Sequence, residues 1–588
     1  MKETWKIINE VLNKKKSQKK INGIKIGNNV TDNDSDIAAG FNDYFSKIGS
    51  NLADAIPHTD KSFESFLTNR NPNSLFLTPT DAIEIRKIVK ELKSKKSPGF
   101  DHITNDLLKD IISEIVTPLE HIINLSLVNG VVPDKMKISK VIPVYKKGNP
   151  TEVGNYRPIS LLSSISKILE KIMYNRTITF IRNFDLLSNS QFGFRQNHST
   201  THAILYFINH IATAIDKHLH SLGIFLDLSK AFDTINHEIL LKKLSYYGIR
   251  GKALDWYRSY LTGRKQFVCI NDSNSNFNAI TCGVPQGSLL GPLLFIIYIN
   301  DFQKSSSDLS FILYADDTSV FFSHKDPETL VNTVNLGLNS IYEWICCNKL
   351  SLNVVKTQCM LFSNSIEMLP HNVILNDNVI ELVDSTKFLG LEIDTKLSWK
   401  QHISHICKIL ARNVGVMNKL NPFLPSNILL KLYNTLILPY LNYGLLAWGN
   451  SSQRNLERLL IIQKRAMRII CHENRLAHSN HLFFSNKVLK IEDLYNLRLG
   501  SFMFQLNKGE LPASLSALFS KNQHFHSYPT TLSSSFHLPM VRTIYKQKTV
   551  VYSGPSFWNT LEESLKTLPG FFIFKRKLKA KHIASYKA

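Results

Sequence analysis

The sequence predicts an α+β fold, and three observations predict it. Between residues 311 and 322, two short runs of β-branched and aromatic residues flank Ala315-Asp316-Asp317, the pattern of a β-hairpin with acids at its tip. Leu222-Gly-Ile-Phe-Leu-Asp227 is an apolar run that ends on an acid, as a buried strand does when it emerges at a site. From 80 to 129, and again from 400 to 471, apolar residues recur every three and four, the period of helices packed on one face.

A chain of 588 residues has room for several subdomains, and 43% hydrophobic with 10% aromatic content marks it as globular. The 70 Lys and Arg outnumber the 47 Asp and Glu to give a net charge of +23. Such an excess points to a polyanionic partner, nucleic acid before anionic membrane. The longest apolar stretch, Leu289 to Ile299, is broken by Gly291-Pro292 and is too short to span a bilayer, so no membrane partner is expected. The start shows no secretory pattern. Seven scattered cysteines without a Cys-x-x-Cys pair argue for a reducing compartment.

In chain order, residues 1–75 are polar and carry the Lys14–Lys20 run, read as a solvated face, a phosphate-binding arm or a nuclear address. Within them, Ile37–Ile48 has helical periodicity. Two helices follow between 80 and 129, separated by a break at Pro98-Gly99. Val141–Tyr145 is a strand running into a basic turn, so that Lys146, Lys147 and Arg157 flank one hairpin. Helices are expected from about 163 to 184 and up to about 218, then the strand ending at Asp227. An aromatic helix at 252–261, a strand pair around Phe267–Ile270 and a glycine-rich turn at 283–292 opening a helix come next. Beyond the acid hairpin lie a helix from 327 to 347, a strand at Lys387–Ile393, and a basic helical region from 400 to 471. His402, His405 and Cys407 have a hint of ligand spacing, but a structural zinc wants four ligands, so one face of a helix is preferred.

Adjacent carboxylates at a hairpin tip repel, and a fold tolerates them best beside a cation, with Mg²⁺ the natural hard ion. The plain alternative is a solvated turn, since Asp favours turns. Asp227, ending its apolar run, is the second carboxylate centre such a site needs. A cationic hairpin facing these acids suits a triphosphate bridged by Mg²⁺; an ordinary basic surface is the alternative.

One ordered set of motifs unites these elements: Ser97-Pro-Gly-Phe-Asp101, Asn155-Tyr-Arg-Pro158, Gln191-Phe-Gly-Phe-Arg195, Asp227-Leu-Ser-Lys-Ala-Phe-Asp233, Gly283-Val-Pro-Gln-Gly-Ser288 and Tyr314-Ala-Asp-Asp317. Together they resemble the reverse transcriptase of non-LTR, jockey-like LINE retrotransposons over roughly residues 80 to 470. The C-terminal Ser553–Asn559 stretch also looks like the tail of such proteins. The resemblance implies a right-hand polymerase with an antiparallel palm sheet, a helical thumb and extra terminal regions. Its divisions would be a basic N-terminal linker or extension (1–75), fingers (76–215), palm (216–395), thumb (396–475) and a mixed region of unassigned role (476–588).

The function so implied is RNA-directed DNA synthesis by two-metal nucleotidyl transfer, with an RNA template, a DNA primer or target and deoxynucleoside triphosphates as partners. Two Mg²⁺ ions, or Mn²⁺ in their place, would sit on Asp227 and Asp316 with support from Asp317. Arg157, with Lys146 or Lys147, would bind the triphosphate; Phe232 would be the gate against a 2′-hydroxyl; Gln286 and Gly287 would line the nucleotide pocket. Lys356 would protonate pyrophosphate, and Phe388-Leu389-Gly390 would form the primer grip. An intracellular setting, nucleus or cytoplasm, follows. No apurinic-type endonuclease, RNase H or Cys-His knuckle motif is visible, so the resemblance is to a polymerase portion. The rival readings are a catalytically inactive or co-opted RNA-binding protein and, less favoured, an intron maturase.

Overall fold

The structure, a computed structural model, describes residues 21–587 apart from 22, 28, 58, 95–96, 366–367 and 525–534. The Lys14–Lys20 run therefore lies outside the described residues. Mixed helix and sheet is what the sequence predicts, and two five-stranded sheets organise the first two thirds of the chain.

In the first sheet the strand His220–Asp227 is central, paired with Asp317–His324 on one side and Gln358–Phe362 on the other. Ser310–Tyr314 closes one edge through the acid hairpin, and Glu381–Leu382 closes the other. The sheet is antiparallel except at that last edge, where Glu381–Leu382 runs parallel to its neighbour, a departure from the all-antiparallel expectation. Both faces of the central strand are covered, which explains its uninterrupted apolar run. Leu222, Ile224 and Leu226 face a core shared with the helix Pro327–Cys347. On the opposite face, Phe207 of the helix Thr200–Asp216 touches the rings of Phe225, Phe321 and Phe362 at 5.7–5.8 Å.

The second sheet pairs Ile138–Tyr145 with Tyr156–Leu162 antiparallel and with Lys265–Ile270 parallel. The strand at 265–270 thus leaves the 216–395 division in which the sequence reading placed it. A β-branched and aromatic run reads identically in either sheet; its non-local parallel pairing is invisible along the chain. Part of the N-terminal segment packs on this sheet, as the periodicity of Ile37–Ile48 leads one to expect. The helix Asp34–Asp54 is capped by Asn33, whose side chain accepts from Ser35 N–H at 2.8 Å. It buries Ile37, Ala38, Phe41 and Phe45 against Val141, Tyr156, Val268 and Ile270 of this sheet.

Ser385–Phe388 and Leu391–Asp394 form a hairpin rather than the single expected strand. Leu389 (φ 44°) and Gly390 (φ 86°) make its two-residue turn, a backbone shape that glycine accepts without penalty. Helices dominate from there on. Lys400–Leu420 packs along Gln453–Ile470, and Ile491–Asn507 packs against Val550–Asn559 and Phe571–Ala584. One core runs through all of them, taking in Leu410, Met467, Phe483, Met503 and Trp558, so no break in packing falls at residue 475. The Ser553–Asn559 motif is part of that core. Gly554 packs so closely that a Cβ would sit 2.7 Å from Met503 Sδ, Trp558 is buried, and Asn559 Nδ2 donates to Phe536 O at 2.8 Å.

Helix Asn105–Asn129 is long and apolar enough to cross a membrane by length and composition. It packs against Ala82–Glu91 and Lys252–Leu261 and exposes Asp110 and Glu114, charges that a lipid-facing helix would not carry at its surface. His402, on the helix Lys400–Leu420, is buried; its Nδ1 accepts from Glu392 N–H at 3.3 Å, and burial pushes its pKa down to about 4. His402, His405 and Cys407 do not converge, and among the described residues no trio of His, Cys, Asp or Glu encloses a metal by itself.

Candidate active site

The acid hairpin places its carboxylates by register. Asp317 is the direct cross-strand partner of both Tyr314 and Asp227, so the two acids sit at the same end of adjacent strands. Ala315 and Asp316 form the two-residue loop between them, with Ala315 at φ 57°, a strained conformation for a residue with a Cβ. The surroundings hold it there. The Gln191–Arg195 stretch runs beneath the loop: Leu313 N–H donates to Ser190 O at 2.8 Å, Phe192 N–H to Leu313 O at 2.7 Å, and Ala315 N–H to Gln191 Oε1 at 3.3 Å. Gly193 is pressed so tightly against the loop that a Cβ there would lie 2.3 Å from Ala315 N. We expect Gly193→Ala to push the acid loop out of register. Any reaction that depends on the acid loop should slow about a hundredfold, since misplacing reacting groups by 1 Å has that effect, while the melting temperature changes little. An unimpaired rate would show that the loop does not depend on this contact.

The electrostatics fit a cation site. Asp316 and Asp317 are exposed, yet flanking protein partly desolvates them, and this is the first cause that raises both carboxyl pKa values. The second is mutual repulsion: Asp227 raises Asp316, while Asp316 and Asp227 together push Asp317 up to about 6. Lys146 and Arg157 act in the opposite direction on Asp316, which places the basic hairpin in range of the acids. The ammonium of Lys146 is itself depressed, first by burial and then by Arg157 and Lys356, so these cations crowd one space. Lys356 Nζ is 3.3 Å from Asp227 Oδ2, held by a turn in which Asn353 N–H donates to Asp227 O at 2.8 Å. Lys147 lies at the exposed start of the same basic loop.

Phe232 lies just past the end of the Asp227 strand, half-buried. Its ring stacks on Phe295 at 4.5 Å and meets Phe194 edge-on at 6.3 Å. Gln286 does something the sequence did not suggest: its Nε2 donates to both oxygens of Asp233, at 2.8 and 2.9 Å. Burial pushes the Asp233 carboxyl up to about 6, against the pull of Gln286 and Lys230. The Gln286 backbone meanwhile accepts from Ser160 N–H at 2.8 Å, and a Cβ on Gly287 (φ 130°) would meet Ser160 O at 2.6 Å. The glycine-rich loop is therefore the joint between the two sheets. Asp233 and Lys230, which donates to Gly154 O, are contributors that motif reading passed over; their spacing from Asp227 within one short turn was the available signal.

Phe388 is buried against Phe207 and Phe225 and the Leu389 side chain is buried too, so of the three residues from 388 to 390 only Gly390 is exposed. Tyr443 Oη donates to Leu389 O at 2.5 Å and fixes that turn.

Comparison with known proteins places these features. Residues 144–393 match the family described as reverse transcriptase (RNA-dependent DNA polymerase). The chain is 28% identical to the RNA-directed DNA polymerase from mobile element jockey of Drosophila melanogaster, over 76% of this chain and 50% of that protein. It is 29% identical to the probable RNA-directed DNA polymerase from transposon BS of the same organism, over 68% of this chain and 45% of the relative. A putative COX1/OXI3 intron 2 protein of Saccharomyces cerevisiae is 27% identical over 48% of this chain and 27% of that protein. The chain spans about half the length of the mobile-element relatives it matches. The acid hairpin, the Asp227 strand, Arg157, the glycine-rich loop, Lys356 and the Leu389-Gly390 turn all fall inside residues 144–393, the stretch that matches the reverse transcriptase family and is similar to the polymerase of mobile element jockey.

Proposed function

We propose that this chain is an RNA-directed DNA polymerase that extends a DNA primer on an RNA template. The observation that carries the reading is the convergence of Asp227, Asp316 and Asp317 with Lys146, Arg157 and Lys356. In this reading the first sheet is the palm, the second sheet the fingers and the helices from residue 400 the start of the thumb.

The residues fit a hard divalent cation. Three carboxylates open to solvent repel one another and lack a full ligand cage, which suits Mg²⁺, an ion that keeps waters and takes substrate phosphates as its other ligands. Asp227 and Asp316 would hold it, with Asp317 in support; bound there, Mg²⁺ supplies charge to the attacking and leaving oxygens of an in-line displacement. The chain's own groups do the rest. Arg157 and Lys146 bind the triphosphate from the basic hairpin, and the pairing of Arg157 with Val144 across two strands keeps that cation on a rigid element. Lys356, beside Asp227, is placed to give a proton to the leaving pyrophosphate oxygen. Gln286 sets the nucleotide pocket indirectly, by clamping Asp233 under the joint between the sheets.

The test is primer extension on an RNA template with Mg²⁺ and deoxynucleotides, beside Asp316→Ala/Asp317→Ala. Extension by the wild type alone is expected. Equal RNA binding with no extension by either protein would favour the reading as an element-derived RNA-binding protein.

Phe232 gives a second handle. Its ring, braced on Phe295, would stand where a 2′-hydroxyl must pass. Phe232→Val should raise ribonucleotide incorporation by at least about tenfold, the scale on which a pocket discriminates by size. Sugar selectivity equal to wild type would remove Phe232 from that role.

A further inference from the structure

A second basic cavity lies away from the acids, where the helical region meets the C-terminal helices. It measures about 350 Å³ and is walled by Leu438, Leu494 and Leu497. Four cations line it: Lys487, Arg498 of helix Ile491–Asn507, and Lys575 and Lys579 of helix Phe571–Ala584. Among the described residues no carboxylate lines it. Lys575 and Lys579 are one helical turn apart and half-buried, an arrangement of like charges that weakens a helix unless an anion relieves it. Burial, then neighbouring cations of the same cavity, lowers the pKa of both: Arg498 and Lys579 act on Lys575, and Lys487 acts on Lys579.

The cavity's place in the fold tells what it faces. Arg498 Nε donates to Asn442 Oδ1 at 3.0 Å, and the next residue, Tyr443, holds the Leu389-Gly390 turn. On the other side of the same short helix, Leu438–Asn442, lies a second cavity of about 350 Å³ walled by Tyr440, Tyr443, His405 and Lys387. Aromatic faces beside cations are the pattern that single nucleic-acid strands take up, bases on the rings and phosphates on the ammonium groups.

We propose that Lys487, Arg498, Lys575 and Lys579 form a phosphodiester site through which the C-terminal region holds a nucleic-acid strand that continues past the Leu389-Gly390 turn. This gives residues 476–588 a function of their own: they extend the strand path from the reverse transcriptase domain. The inference requires a bound strand but no turnover, so it stands or falls separately from the polymerase reading.

The experiment uses the full chain with EDTA and no nucleotides. Fluorescence anisotropy reads the binding of a labelled single-stranded RNA, a DNA of the same sequence and an RNA–DNA hybrid across a salt series. Lys575→Gln/Lys579→Gln should weaken binding at least tenfold at physiological salt and flatten the plot of log affinity against log salt by about 2, one for each phosphate that no longer meets a cation. Arg576→Gln/Lys577→Gln, on the same helix and outside the cavity, changes the net charge equally and should leave the slope near wild type. Comparing the three probes tells which strand uses the site, and competition by tripolyphosphate below the level that displaces RNA from wild type would mean a free-phosphate site instead. If the lysine pair unfolds the protein, Lys487→Gln, an exposed change, should flatten the slope by about 1. Equal effects of the two double variants, or none, would overturn the proposal.

Discussion

Asp317→Asn is expected to stabilise the metal-free protein while cutting primer extension by about 10²–10³-fold, the scale on which one preorganised charge contributes to a transition state. The two effects share a cause. Flanking protein desolvates the Asp317 carboxylate, and Asp317 also follows Asp316 and faces Asp227 across the strand pair, so its charge is held out of water where two others repel it. Its folded pKa of about 6 stands above the ordinary 3.8. Between those values the folded state keeps a proton that the unfolded state has released, so wild-type stability falls as pH rises from about 4 to 6 and stays reduced above. The gain in Asp317→Asn should therefore be full above pH 6 and gone below pH 4. After allowance for solvent screening of exposed carboxylates it is worth on the order of 1 kcal/mol. Thermal melts in EDTA at pH 4 and pH 7.5 check it. A gain equal at both values would assign the stabilisation to packing instead of charge.

The largest expected loss of stability lies elsewhere. Lys243 and Asp301 are wholly buried and 2.5 Å apart. Lys243 Nζ also donates to Tyr298 O at 2.6 Å, and Asp301 Oδ2 accepts from Trp344 Nε1 at 3.1 Å. Burial lowers the Lys243 pKa, and Asp301 is what offsets it. Asp301→Ala leaves that ammonium unpaired in the core and should cost about 3–5 kcal/mol. Lys243→Met combined with Asp301→Leu removes both charges and should recover most of that loss, because the pair gains little over apolar packing. Denaturant melts of both variants separate the cases. A double variant as unstable as the single one would mean that the hydrogen bonds to Tyr298 and Trp344, not charge pairing, hold this core.

The contrast shows what the sequence exposes. The acid loop was legible because a hairpin writes itself into local order: apolar, polar break, apolar. Asp227 was legible because an acid ending an apolar strand is costly without a purpose. Asp301 sat equally near an apolar run, but its partner lies 58 residues away on a helix where Lys242-Lys243 reads as a solvated pair. One of those lysines points out, the other in, and only packing decides which. The strand at 265–270 and the helix Asp34–Asp54 were legible as elements, but not the parallel pairing of the one or the sheet that receives the other, since register between distant segments leaves no local trace. Leu389-Gly390 was read through as a strand although its glycine, the one residue at ease there, marks the turn. The glycine-rich loop was recognised for its motif, while its clamp on Asp233 required the fold.

The helix Thr200–Asp216 supports the acid sheet on one side and the C-terminal segment on the other. Asn209 Oδ1 accepts from Lys546 Nζ at 2.6 Å, and Asp216 Oδ1 accepts from Arg542 and Thr543 N–H groups. The hydrogen bond between Asn209 and Lys546 joins residues 337 positions apart. On the ribosome, at about 5–20 residues per second, the backing of the acid sheet waits tens of seconds for its last partner. Until then that helix keeps polar groups unmatched, and the half of the chain that carries the acid sheet emerges well before the segment that finishes it.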